Sequence, residues 1–203
     1  MSTLKTEALR GLSGSADSIQ LHASNQSVTF PGNVTCSGTA TGMGGGKVLQ
    51  VVSTAKTDTT SFSIGSESYN DYPGFNVAIT PSATSSKILL IGVVNLALSG
   101  GEQDVKYWIR RNGSELDGAR GDAASSRARA TSGMLSYGTQ ANNAVAFQYL
   151  DSPSSTSAQT YNFVLSHSSG VTRTIYLNMS SSDADNGKYS RAMSSITAIE
   201  IGA

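Results

Sequence analysis

One cysteine, Cys36, stands in 203 residues, so no disulfide can form within the chain. Stability has to come from packing within the chain or from other copies of it. Charge is scarce too. Asp, Glu, Lys and Arg together make up 14% of the residues, against roughly a quarter in average soluble domains. The 14 basic residues balance the 14 acidic ones, which removes the basic field on which general nucleic-acid binding depends. No apolar run reaches the ~18 residues of a membrane span, so membrane insertion is not expected. The stretch "MSTLKTEALRGLSGSADS" has no apolar segment of the kind that drives secretion. An extracellular role would then be reached by release on lysis, as for a virus particle.

Chemistry-bearing motifs are equally thin. His22 and His167 are the only histidines, and neither has a second His or Cys at metal-ligand spacing. No G-x-S-x-G occurs, and the carboxylates of the second half are scattered between strands, without a spacing that calls for catalysis. The run Gly42-Met43-Gly44-Gly45-Gly46-Lys47 mimics a phosphate loop, but it precedes a strand instead of joining a strand to a helix. Asp183-Ala184-Asp185-Asn186-Gly187 has oxygens at alternate positions like the opening of a calcium loop. It lacks the later glutamate and the flanking helices, and reads as a turn. The chain is therefore expected to be no enzyme and to hold no cofactor or metal.

Serine and threonine supply the polarity, 34 and 19 residues, about a quarter of the chain. Such a wet, weakly charged surface suits extracellular and virion β-proteins. Residues 3 to 10, "TLKTEALR", could form two helical turns between an N-cap Thr3 and Gly11, with Leu4, Ala8 and Leu9 on the buried side. From Ser18 the apolar period is two: Ile19 and Leu21, Val28 and Phe30, Val34 and Cys36. Each of these strands has one thin apolar edge and no partner layer, so several chains must share an axis to bury them. Residues 1–46 thus read as an attachment segment and a short oligomeric β-shaft, ended by three glycines.

From Lys47 to residue 203 the strands lengthen. Val48 to Val52, then Phe75, Val77 and Ile79, then the apolar run Ile88 to Leu98 mark a sandwich. Tyr107 and Ile109 alternate before Asn112-Gly113, a hairpin turn. Four further strands and the terminal "SSITAIEIGA" follow, the last with Ile196, Ala198 and either Ile199 or Ile201 inward. His167, after a strand, is expected at a loop mouth. The fold class is all-β, a sandwich or barrel.

Recognition surfaces favour tyrosine and arginine. Candidate receptor contacts are Tyr69, Tyr72, Arg120, Arg127, Arg129, Asp183, Asp185 and Tyr189, all placed in loops by their neighbours. Residues 106–129 hold six basic side chains, either a solvated hairpin or a rim for anionic glycans. Arg120-Gly121-Asp122 spells an integrin tripeptide, more simply read as coincidence.

The segments "SIQLHASNQSVTFPGNVTCSGTATG", "GKVLQVVSTAKTD", "VAITPSATSSKILLIGVVNLAL" and "SSITAIEIGA" resemble short fibre-like structural proteins of tailed phages, notably marine and cyanobacterial ones. The order of the long strands is also similar to the jelly roll of tumour-necrosis-factor and complement globular heads. The resemblance implies a homotrimeric shaft carrying a jelly-roll knob on the virion exterior. The amino terminus, through Leu4, Ala8 and Leu9, would dock on tail or capsid proteins. A head of this kind implies adhesion to host-surface polysaccharide. The alternatives are a purely structural decoration or tail-assembly protein and, further off, a polysaccharide depolymerase.

Overall fold

The computed structural model describes residues 47–100 and 103–202; the attachment segment and shaft expected over residues 1–46, with Leu4, Ala8 and Leu9, fall outside the described residues. Eleven strands follow in order: β1 Val48–Lys56, β2 Thr60–Ile64, β3 Asn70–Ile79, β4 Lys87–Leu98, β5 Gln103–Arg111, β6 Ser114–Glu115, β7 Ser132–Ser136, β8 Asn143–Asp151, β9 Gln159–His167, β10 Arg173–Leu177 and β11 Ser194–Ile201. A single 3-10 turn, Asp117–Ala119, interrupts them. One sheet runs β1-β11-β4-β10-β2, with β8 on the other side of β4. The second runs β3-β9-β5-β6, with β7 also on β5. All pairings are antiparallel, and the two sheets face each other as a β-sandwich.

The period-two pattern explains the core. Phe75, Val77, Ile79, Ile88, Leu90, Tyr107, Ile109, Tyr161, Phe163, Ile196 and Ala198 are all buried between the sheets. Phe163 is its aromatic hub, stacked on Phe75 at 5.6 Å and edge-on to Phe147 at 4.7 Å. Asn112 and Gly113 turn the β5–β6 hairpin with φ of 51° and 81°, the left-handed pair that this two-residue loop requires.

Three expectations are corrected. The third inward position of β11 is Glu200, while Ile199 and Ile201 face outward. Burial alone would raise the Glu200 carboxyl, but hydrogen bonds from the Ser82 hydroxyl and N–H, both at 2.6 Å, outweigh it and hold the group below its ordinary range. His167 is not at a loop mouth; it is fully buried at the end of β9. Tyr72 is no surface contact. Strand β3 continues through Pro73 and a bulge at Gly74, and this places Tyr72 in the core with its hydroxyl 3.1 Å from Ser194 Oγ.

The ends of the sandwich are distinct. Val48, Ile201 and Lys87 lie at one level, where β1 begins. The β2–β3 turn, residues 65–69, lies past the opposite end of β4, because Ile64 pairs with Arg173 and Ile175 with Leu98. The twelve residues of β4 separate these levels by roughly 35–40 Å.

Candidate functional site

The outer face of the second sheet carries a covered tryptophan. Trp108 points away from the core, yet is only 2% exposed. Its cover is the connection from Leu116 to Thr131, which folds back over β5 as a flap. Thr131 N–H donates to the Tyr107 carbonyl at 2.9 Å, and the Trp108 indole N–H donates to the Arg129 carbonyl. Arginines and carboxylates hold the flap down. Arg110 bridges Asp71 at 3.3 Å and Glu115 at 3.5 Å. Arg120 pairs with Glu115 and Asp117, and Arg129 reaches Asp117 at 3.5 Å and the Gly121 carbonyl at 2.8 Å. The Asp117 carboxyl sits below its usual range because Arg120 donates to it.

Between the flap tip and the β2–β3 turn lies a cleft of about 540 Å³, lined by Glu67, Tyr69, Lys106, Trp108, Ser126, Arg127, Ala128, Ser166 and Ser168. Tyr69 leans on Trp108 with ring centroids 5.0 Å apart and planes at 59°, and stays 52% exposed. Tyr69 thus packs against the protein while about half of it stays open to solvent. Arg127, at the flap tip, is exposed and makes no ion pair among the described residues. Glu67 stands exposed on the facing lip, in the left-handed conformation at φ 60°. That strained backbone is fixed by its N–H donating to the His167 carbonyl at 2.7 Å.

His167 is the anchor of this lip. Its Nδ1 accepts from the Ser169 N–H at 3.3 Å, so Nε2 carries the proton and donates to the Ile64 carbonyl at 3.0 Å. The Ser66 hydroxyl accepts from the Gly170 N–H at 2.9 Å, and Lys106 Nζ donates to Ser168 Oγ at 2.5 Å while pairing with Asp104. The turn that presents Glu67 and Tyr69 is therefore built on the end of β9 and the loop after it.

Of the sequence-derived contacts, Tyr69 and Arg127 meet in this cleft. Arg120 and Arg129 are struts of the flap, and the guanidinium of the Arg-Gly-Asp tripeptide is bound by Glu115 and Asp117 instead of being displayed. Asp183, Asp185 and Tyr189 form a separate surface concavity with Asn186 and Arg191. There Asp183 accepts two bonds from Arg191, which lower its carboxyl. Among the described residues no group of three metal-ligating side chains occurs. Glu67, Trp108, Ser166, Ser168 and His167 were not legible as site residues, because strand pairing brings them together from distant segments.

No family model matches the chain, and no curated protein matches it. Among solved structures, a structure of infectious bursal disease virus, Gt strain, aligns over 75% of this chain and 40% of its own, at 10% identity and a TM-score of 0.41. Infectious bursal virus-derived T=1 particles align over 75% and 37%, at 12% identity and 0.41. The VP2 subviral particle of that virus aligns over 75% and 40%, at 10% identity and 0.38. This chain spans about two fifths of the length of those proteins, and likeness at this level assigns neither family nor function.

Proposed function

We propose that this protein is a non-enzymatic virion component, a homotrimeric fibre or knob held on tail or capsid through its amino terminus, whose head adheres to host-surface glycan. The observation that carries the reading is the cleft in which half-exposed Tyr69 lies on buried Trp108 between Glu67 and Arg127. An aromatic platform with a donor and an acceptor at its edges offers what a saccharide needs: a surface for its C–H face and partners for its hydroxyls. Its lip, the 65–69 turn, lies toward the end of the sandwich opposite Lys47, which suits a head presented outward from an amino-terminal attachment. The strand order β1-β11-β4-β8 against β3-β9-β5-β7 supports the jelly-roll reading.

Trimerisation is supported by the outer face of the first sheet. Val51, Ile199, Leu89 and Leu150 form one cross-strand row there, with Val48, Ile201 and Ile91 beside it. The same face favours the second reading, a purely structural decoration or assembly protein, because it offers packing surface that needs no ligand. Immobilised host-surface polysaccharides incubated with the purified chain separate the two. Retention on glycan supports adhesion; retention on none, by a chain of three-copy native mass, leaves the structural role.

A further inference from the structure

The charges around the cleft bear on which saccharide it takes, an inference that rests on the adhesion reading above. By composition, the six basic residues of 106–129 suggest a rim for anionic glycans. The pairing removes that rim. Lys106 is held by Asp104, Arg110 by Asp71 and Glu115, Arg111 by Asp151, Arg120 by Glu115 and Asp117, and Arg129 by Asp117. Arg127 is left, and the Glu67 carboxylate on the facing lip opposes it. The two make no ion pair with each other; with Lys106 paired to Asp104, Arg127 and Glu67 are the unpaired cation and anion of the cleft among the described residues, and their charges balance.

A sulfated or uronic saccharide would gain Arg127 but bring its own anion toward Glu67. An uncharged sugar meets neither conflict. A carboxylate accepts from two adjacent hydroxyls at once, and a guanidinium donates to hydroxyl or ring oxygen. The C–H groups on one face of a pyranose, weakly positive, complement the negative face of the Tyr69 ring. We propose that this cleft binds a neutral pyranose, seated on Tyr69, with adjacent hydroxyls donating to Glu67 and Arg127 donating to the opposite edge.

Trp108 is the only tryptophan and lies under Tyr69, so its emission reports on the cleft. The test titrates the full chain with neutral hexose oligosaccharides and, separately, with sulfated and uronic ones, at low and high salt. Neutral oligosaccharides are expected to change Trp108 emission with an affinity that salt leaves unchanged. Tyr69→Ala and Glu67→Gln should each weaken that binding by about tenfold or more, the scale of losing one good contact. Both residues are exposed, and an unchanged melting profile shows that the variants are folded. Binding of anionic saccharides alone, weakened by salt and by Tyr69→Ala, overturns the neutral-sugar inference while the adhesion reading stands. Neutral binding that ignores both substitutions overturns this cleft as the site. Binding of no saccharide overturns the adhesion reading as well.

Discussion

Ser194 and Asn178 lie sixteen positions apart in the chain, and the Ser194 hydroxyl donates to the Asn178 side-chain carbonyl at 2.6 Å. With its proton committed, Ser194 Oγ accepts from the Asn95 N–H at 3.0 Å and from the Tyr72 hydroxyl at 3.1 Å. Asn178, in the left-handed region at φ 60°, spends its amide on the carbonyls of Lys56 and Asp58, at 2.8 and 3.0 Å. One buried network thus ties the β1–β2 break to both ends of the 178–193 loop.

Removing its centre should cost more than trimming its edge. Ser194→Ala strands the Asn95 N–H and the Asn178 carbonyl in the interior, a loss of about 2–3 kcal/mol. Tyr72→Phe removes one bond from a ring that stays packed on Phe75, about 1 kcal/mol. Urea denaturation of both variants checks the order; equal losses would contradict the network.

Alkaline pH should unfold the head through its tyrosines. Burial pushes Tyr72 and Tyr107 up to about 12, and Tyr161 rises through burial and its hydrogen bond to Asp151. A folded value above the unfolded value near 10 means that the neutral, protonated form is favoured in the fold. The stability it contributes is complete below pH 10 and is lost as pH rises from 10 through 12. Of the eight tyrosines, these three should ionise late and together with loss of the β circular-dichroism signal, and Tyr149, also raised by burial, should lag behind the exposed ones. Ionisation of all eight near pH 10 without unfolding would contradict this.

Gly92 sits mid-way along β4, where a glycine would ordinarily weaken a strand. A Cβ there would collide with the Ser195 carbonyl and with the Phe147 ring, 2.5 Å from its tip. Phe147 packs edge-on against Phe163 and Tyr107, so it has no room to yield. Gly92→Ala should destabilise by about 1–3 kcal/mol, read as a fall in melting temperature of several degrees.

How far the sequence speaks depends on whether a residue's role is local. The Asn112-Gly113 turn and the run Ile88–Leu98 were legible because turn chemistry and apolar continuity reside in neighbouring residues. β2, Thr60–Ile64, was not, since "TSFSI" has only Phe62 and Ile64 to show and becomes a strand by pairing with β10. Glu200 escaped because a charged residue on an inward position makes sense only once Ser82 is known to meet it. Tyr69 and Arg127 could be picked by residue type, but Trp108, on the face opposite Tyr107 and Ile109 in the alternation, gives no sign of the flap that covers it, and Arg120 and Arg129 read as free until Asp117 and Glu115 are placed beside them.

The flap should separate its arginines by role. Arg129→Ala removes the contacts to Asp117 and the Gly121 carbonyl and loosens the cover over Trp108. Its emission should shift to the red and its quenching by acrylamide should rise. Arg127→Ala, at an exposed tip without an ion pair among the described residues, should leave emission and melting unchanged, within about 0.5 kcal/mol. Equal spectral effects of the two would remove the distinction between strut and contact.

The outward row Val51–Ile199–Leu89–Leu150 bears on assembly. Val51 and Leu150, at its two ends, are 58% and 45% exposed, and no charged side chain interrupts the row. Monomers rarely expose contiguous apolar patches beyond about 300–600 Å², and the row itself sets no like charges against each other when a second copy packs on it, the exposed Lys87 opposite Ile201 lying at its edge. A charge at either end would have to be buried unpaired in such an interface, at a cost of several kcal/mol, yet would be solvated in a lone head. Val51→Asp and Leu150→Asp should therefore preserve the β-sandwich while lowering the native mass of the head, residues 47–203, measured by light scattering after size exclusion. A head that keeps a three-copy mass with both substitutions would place trimer contacts on another surface. A head that is monomeric without them would leave assembly to residues 1–46.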